Sequence, residues 1–516
     1  MASSPTPELA PLLSPSDTDR LRDALETADY TVDAVLERIG AAGQAGLGRN
    51  STVPAGDALD RVDAADALDT LVRLFVLQQP VVRNRAEVSL PTDQLLEAGI
   101  LCRVPDTDQV AAVIDIRPVD SPDDGATGWV VSDLTPGLDQ RVEPMRPDYV
   151  LGVSPASTTL AQLTHRRPVG SALDLGTGCG IQSLHLARHA QRIVATDLNP
   201  RALQHAQLTA ALNRIDLDLR LGSLYEPVAD QRFDLIVTNP PYVMSPPRTD
   251  TTRLTYREGN LAGDGLVEHV VRRAPHHLTD GGMLQVLGNW AIVDGQPTDE
   301  RLAGWVEGTG ADLWVVERER LDVHEYVELW LTDAGLSTSD QWLPRYREWL
   351  DYFTHLGITG VGMGWITLTM AARATPDITV ETWPWAVEQP VGAAIGRRSA
   401  DLTAAATSDA EMLATHWLLR DDVVEETLGR PGAAGYEHIV LRQSGGFRRA
   451  IESDTAQAAI LGACDGDLSL GEIIEAVARL LEVDAGALGA EQLPLFRSAL
   501  REGFLDRRLA SSATGG

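Results

Sequence analysis

Along the 516-residue chain the period of the apolar positions changes several times, and each change marks an element. Over residues 16–40, Leu21, Leu25, Val32, Val35 and Leu36 recur at helical spacing behind the capping residues Ser16 and Asp17. Further helices are predicted over residues 64–77 and 90–101, the latter ending at Gly99, and residues 109–118 read as a strand stopped by Pro118 ahead of a turn at 121–125. From about Asp148 the pattern turns to short apolar strands alternating with amphipathic helices. Strands are predicted at 172–175, 192–197, 217–221, 233–238 and 283–287, then at 312–317 and 365–370, with helices at 181–190, 200–213, 323–332 and 343–355. Strands spaced by helices in this way imply an α/β fold, a parallel sheet with helices on both faces and a ligand beyond the carboxyl ends of the strands.

Near Pro376 the pattern changes again, through Trp383-Pro384-Trp385 and an Ala-rich helical stretch to a strand at 437–442, helices at 468–481 and 492–503, and a frayed tail at 511–516. Three domains are expected, 1–147, 148–375 and 376–516, with no internal repeat. Helices followed by a strand and a turn make the first resemble a winged helix, and the last reads as a second small helical or winged-helix-like module. Such a flank either docks on nucleic acid or a partner through its third helix or packs beside a catalytic domain; that helix is acidic, which favours packing.

Charge narrows the function classes. The chain carries 74 acids against 43 bases, a formal charge of −31. All of the bases are Arg, and without Lys there is no Schiff base, no pyridoxal phosphate attachment and no Walker A phosphate loop. Free nucleic acid is repelled at long range by such a surplus of acid. The three cysteines, Cys102, Cys179 and Cys464, form no CxxC and suggest neither a disulfide framework nor zinc, which points to the cytoplasm. The N-terminus has no secretion pattern, and the most apolar stretch, near 71–82, is broken by Arg73 and Pro80, so no membrane span is expected.

Two features carry chemistry. The strand at 233–238 runs into Asn239-Pro240-Pro241-Tyr242, where two prolines stop the ladder and leave an amide side chain, a free carbonyl and an aromatic face in fixed order, a corner suited to a planar –NH2 group. The strand at 172–175 carries Asp174 and enters Gly176-Thr177-Gly178-Cys179-Gly180, and the next strand ends in Asp197, an acid placed to bind a ribose diol. The glycine spacing is shorter than the dinucleotide fingerprint. Glycines and acid alone say only that the cofactor contains adenosine.

With these pieces in order, and with Leu261-Ala262-Gly263-Asp264-Gly265 beyond them, residues 150–290 resemble class I S-adenosylmethionine-dependent methyltransferases that carry the Asn-Pro-Pro-Tyr tetrapeptide, above all the release-factor glutamine methyltransferases. The resemblance implies a Rossmann-like seven-stranded sheet, S-adenosylmethionine as cofactor and no metal. It implies that Asp174, Gly176, Thr177, Gly178, Gly180, Asp197, Leu198, Ser223, Leu224 and Asn239 line the cofactor. Asn239 Oδ1 and the Pro240 carbonyl would accept the two N–H bonds of the acceptor, with Tyr242 stacked on it. The acceptor is then a peptidyl glutamine, as in a release factor, or an exocyclic amine of adenine or guanine in structured RNA. A catalytically inactive cofactor-binding regulator is the third reading.

Departures from the family pattern are visible. Gly222-Ser223-Leu224 stands where many relatives hold the adenine with an acid, and the turn at 152–159 lacks the family's acid. Cys179 reads as a small buried side chain, His276 and His277 as solvated, and Trp365, in a glycine-rich setting, as a core aromatic or a stacking platform. Arg248, Arg253 and Arg257 form a charged loop that binds substrate or simply faces solvent.

Overall fold

A computed structural model describes residues 12–61, 66–140, 146–247, 261–431 and 436–508; Arg248, Arg253, Arg257 and the predicted tail at 511–516 lie outside the described residues. The chain divides into two compact units, Met1–Ala161 with Pro168–Pro384, and Gln162–Arg167 with Trp385–Gly516.

The first unit is built on an eight-stranded sheet. Its strands are β1 (Val169–Leu175), β2 (Ala190–Asp197), β3 (Asp218–Leu221), β4 (Phe233–Thr238), β5 (Leu278–Val293), β6 (Asp312–Asp322), β7 (Ile358–Thr369) and β8 (Ile378–Thr382), in the order β3-β2-β1-β4-β5-β7-β6-β8. Only β7 runs antiparallel to its neighbours. The seven predicted strands are all present, and β8 adds an eighth at the edge beside β6. Strand order reverses between β1 and β4, so the connections leaving these two neighbours diverge and open a crevice at their carboxyl ends.

Helix α1 (Ile181–Leu186) follows β1, α2 (Pro200–Leu212) follows β2 and α3 (Gly265–His277) precedes β5. A helical pair, α4 (Val323–Asp333) and α5 (Trp342–Leu356), is inserted between β6 and β7. The apolar runs of the central strands are buried on one side against α3, where Leu173, Leu175, Ile236, Leu284 and Val286 meet Val267, Val270 and Val271. A second cluster packs Tyr326 and Val327 of α4 and Trp349 and Phe353 of α5 against Val243, Met244, Ala291 and Val361. Gly362 of β7 lies opposite Trp290 of β5, and a Cβ there would sit 2.2 Å from the indole nitrogen, so the glycine makes room for that buried ring.

Ahead of the sheet, Val81–Val82, Leu101–Arg103 and Gln109–Ala112 form a small antiparallel sheet with the last strand in the middle, and helices Arg83–Ser89 and Thr92–Glu97 lie between the first two strands in sequence. This is the strand order of a winged helix. The predicted strand at 109–118 divides at Val113, and its second half, Ile114–Ser121, continues through Pro118 to pair with Ala126–Asp133. Proline does not end it because each strand of a two-stranded ribbon is an edge. The single helix expected over 16–40 is two, Pro15–Thr27 and Val32–Leu47, the second capped by Thr31.

The ribbon is fastened to α2. Asn213 Oδ1 accepts from the Trp129 amide (3.0 Å) and its Nδ2 donates to the Trp129 carbonyl (2.7 Å), mimicking one more strand partner. Thr209 Oγ1 accepts from the Val131 amide (2.9 Å), and the Arg22 guanidinium donates to the Leu212 and Ala211 carbonyls at the end of α2 (2.9 and 2.5 Å).

In the second unit, His416–Leu419 lies between Asp465–Ser469 and Leu505–Arg507, and Val423–Leu428, His438–Gln443 and Ala450–Ser453 form a meander. Helices Leu470–Leu481 and Ala485–Arg501 pack Ile473, Ile474, Phe496 and Leu500 with Trp417 and Phe504 into its core.

Gly128 has φ +148°, and a Cβ there would fall 1.8 Å from Asn213 Oδ1. Gly128→Ala is therefore expected to break the Asn213 clasp and destabilise the first unit by about 1–3 kcal/mol, read as a lower urea midpoint with an unchanged slope.

Candidate active site

The glycine turn hangs from the end of β1. Asp174, fully buried beneath it, accepts from Thr177 Oγ1 (2.7 Å) and from the Ser183 amide (3.0 Å) and hydroxyl (2.7 Å), so one carboxylate pins both the turn and the first turn of α1. Burial pushes its pKa up to about 6, against the pull of those donors. Gly176, Gly178 and Gly180 have φ of +75°, +57° and +82°, the left-handed region that a side chain makes costly. The amides of Gly176 and Thr177 both donate to the Thr196 carbonyl (2.9 and 3.0 Å), which brings the turn against the end of β2.

Asp197 completes this join. Its Oδ2 accepts from the Gly178 amide (2.9 Å) and its Oδ1 from the Asn199 amide (2.8 Å). Burial raises its pKa, and the backbone amides of Asn199, Gly178 and Leu198 oppose the rise. Each oxygen keeps a second lone pair. Leu198 is half-exposed beyond the strand end. After β3, the Gly222 amide donates to the Asp197 carbonyl (3.0 Å), and Leu224, held at φ +46°, accepts from Thr196 Oγ1 (3.3 Å). Ser223 is half-buried in this turn and its carbonyl accepts from the Glu226 amide (2.9 Å). The turn at 152–159 joins the same group, since Gln182 of α1 donates to the Ser157 carbonyl (2.7 Å).

Thr238 closes β4 by donating to the Leu175 carbonyl (2.6 Å), so the next residue, Asn239, begins beside the glycine turn. Asn239 Oδ1 is buried and accepts no hydrogen bond from the described residues. Pro240 is buried and Pro241 half-buried. Tyr242 sets its ring edge-on to Trp330 of α4, 6.1 Å away at 69°. Burial, then Asp333, raises the pKa of its phenol, which stays neutral. Two residues on, the Met244 amide donates to Tyr326 Oη (3.1 Å), which also accepts from Asn289 Nδ2 (2.9 Å). The predicted site residues of the glycine turn, Asp174, Asp197 and Leu224 are thus joined by hydrogen bonds at adjacent strand ends, Asn239 follows the bonded Thr238 beside them, and Tyr242 stands at their margin.

Asp264, from the later matching piece, stands apart in function. It accepts from the Ala291 amide (2.7 Å) and from Arg301 (2.6 Å), bracing the far end of β5. Cys179 is buried with its thiol pushed up to about 12, an inert packing residue. Trp365 is a buried core residue under the Arg318 guanidinium, 5.1 Å away. His276 is exposed as expected, but His277 is not solvated: it is buried, stacked on Tyr225 at 4.4 Å, because α3 continues through Pro275 and turns alternate positions inward. Sequence reasoning did not find Tyr326, Trp330 or Asn289; the one available signal was the amide of Asn289 within the apolar run Val286-Leu287-Gly288 and Trp290-Ala291-Ile292.

The residues present suit an adenosine cofactor with a cationic centre. Space is open over Gly176 and Gly178, where an added Cβ would meet nothing within 4 Å, and two acids lie beneath and beside that space. Among the described residues, no three His, Cys, Asp or Glu stand together to hold a metal ion, and no helix is long and apolar enough to cross a membrane.

Comparison with known proteins agrees with this geometry. Residues 152–293 match the model of the Methyltransferase small domain. Two domains of unknown function, DUF7059 and DUF7782, match residues 27–113 and 394–507. The chain is 32% identical over 151 residues to a release factor glutamine methyltransferase of Geobacter sulfurreducens, covering 27% of this chain and 53% of that one. It is 34% identical over 137 residues to a ribosomal protein uL3 glutamine methyltransferase of Bradyrhizobium diazoefficiens (24% and 43%), and 29% over 133 residues to ribosomal RNA small subunit methyltransferase C of Erwinia tasmaniensis (25% and 34%). The chain thus spans about half or less of the length of these relatives. Residues 152–293 are thus a class I S-adenosylmethionine-dependent methyltransferase domain, similar to the release factor glutamine methyltransferases.

The pKa of Asp174 is raised from the ordinary 3.8 to about 6, so between those values the folded chain holds a proton that the unfolded chain has released. Stability from this group is present below about pH 4 and is lost as pH rises towards 6. The difference in urea midpoint between wild type and Asp174→Asn is therefore expected to shift against the wild type across that window and to level off above it.

Proposed function

We propose that the protein transfers a methyl group from S-adenosylmethionine to the side-chain amide nitrogen of a glutamine in a protein, with a release factor as the leading acceptor. The observation that carries this reading is the buried oxygen of Asn239, which accepts from no described residue. A buried acceptor without a donor costs roughly 1–3 kcal/mol, and an acceptor –NH2 group removes that cost on binding. When bound, the cofactor supplies an electrophilic methyl group on sulfonium sulfur.

The rest of the chemistry belongs to the chain. Asn239 Oδ1 and the Pro240 carbonyl accept the two N–H bonds, turn the nitrogen lone pair out of conjugation and stabilise the positive charge that grows on nitrogen. Pro241 keeps the corner rigid, and Tyr242, steadied by Trp330, covers the planar group. Asp174 and the glycines of the turn hold the cofactor side of the crevice open, Asp197 receives the ribose diol, and Leu198, Ser223 and Leu224 border the adenine. Both acids favour a cationic ligand.

The glutamine reading draws on the two glutamine methyltransferase relatives and on the acidic charge of −31. Methylation of an RNA base is the second reading, favoured by the winged-helix strand order ahead of the sheet. A cytoplasmic location accords with three free, widely spaced cysteines.

Methyl-labelled S-adenosylmethionine incubated with the protein and lysate of cells lacking its gene is expected to label protein; label in RNA alone removes the glutamine reading, and cofactor binding without any transfer supports a regulator instead. Asn239→Ala is expected to lower turnover by roughly 10²–10³-fold while the cofactor dissociation constant, measured by calorimetry, changes only a few-fold.

A further inference from the structure

A second amide oxygen lies near the Asn-Pro-Pro-Tyr corner in the same condition as the first. Asn289 of β5 is fully buried, its Nδ2 engaged by Tyr326 Oη at 2.9 Å, and its Oδ1 accepts from no described residue. Sheet register places the two amides on one side. Thr238 of β4 pairs in parallel with Val286 of β5, the last pair of this register; extended by one residue it sets Asn239 opposite Leu287, and Asn289, two residues further, projects to the same face. Packing agrees: Val286 and Trp290 belong to the cluster on α3, whereas Ala291 meets Tyr326 of α4 on the opposite face. At ~3.3 Å per residue along a strand and ~4.8 Å between strands, the two Cα atoms lie about 8 Å apart, a distance spanned by a single side chain and its backbone.

No described residue satisfies this oxygen. Trading Asn289 for an apolar residue would remove a buried acceptor at no loss to the sheet, and the rest of β5 around it is apolar. Tyr326, which holds Asn289, also holds the Met244 amide just past the corner, so the two amide groups share one support.

We propose that Asn289 is a second acceptor-binding residue: its Oδ1 takes a hydrogen bond from a backbone N–H of the peptide whose glutamine amide is held at Asn239. This rests on the proposed glutamine chemistry and adds a rule to it. The site recognises a molecule with two separate N–H donors, one at the reacting nitrogen and one about a side chain's length away. A peptidyl glutamine has both. Adenine has no second donor, since its ring edges carry only acceptors.

The test is a titration of purified release factor with the full-length protein and methyl-labelled cofactor, comparing wild type, Asn289→Leu and Asn289→Asp, with melting curves and cofactor dissociation constants for each. Asn289→Leu is expected to raise the release factor KM by about tenfold and to leave cofactor affinity unchanged. Asn289→Asp, which keeps an acceptor oxygen, is expected to stay within about threefold of wild type; should the leucine variant fold poorly, Asn289→Ala takes its place. An unchanged KM in the leucine or alanine variant overturns the inference alone, as does an aspartate variant as impaired as the leucine one, since that would locate the effect in the bond to Tyr326. Wild-type transfer to a guanine in RNA rather than to release factor overturns the peptide N–H as occupant, and no wild-type transfer at all overturns the proposed function together with it.

Discussion

The site depends on an oxygen that no described residue of the chain satisfies. Asn239 follows Thr238, whose hydroxyl is fixed to the Leu175 carbonyl, and precedes two prolines that have no amide hydrogen to offer. On the other side, Met244 is tied to Tyr326. With both flanks anchored, the backbone of the corner is held in place. A buried acceptor held at such a corner favours an incoming donor, since pairing removes the cost of leaving it unmet.

The cofactor side rests on a different device. The glycine turn is held by carbonyls and carboxylates of neighbouring strand ends, not by packing: Thr196 receives two of its amides, Asp197 a third, and Asp174 its threonine and the helix behind it. This arrangement leaves the upper surface of the turn free of side chains while its lower surface is negatively charged. In a chain that is already acidic overall, two carboxylates largely withdrawn from water beside one turn favour a cation there more than the exposed surface, screened by salt, does.

Most of the sheet was legible because its strands are short apolar runs closed by Gly, Pro or Asp, and because their order along the chain dictates parallel pairing. The glycine turn and the Asn-Pro-Pro-Tyr corner were legible because local geometry requires those residue types. What escaped has a common cause. Asn289, Tyr326 and Trp330 act through contacts between segments far apart in sequence, and an amide or aromatic in an apolar stretch carries no mark of what it faces. His277 was misjudged because a histidine at the end of a helix resembles a solvated cap until the helix is seen to bury that position against Tyr225. Pro118 was misjudged because its strand has only one partner, which the sequence around it does not reveal.

The clasp between Asn213 and Trp129 bears on how a change ahead of the sheet reaches the crevice. Helix α2 is joined at its end by Arg22 and along its side by the ribbon, and it begins three residues after Asp197. A substitution that loosened the ribbon would therefore be felt at the strand end that carries Asp197, with no residue of the crevice itself altered.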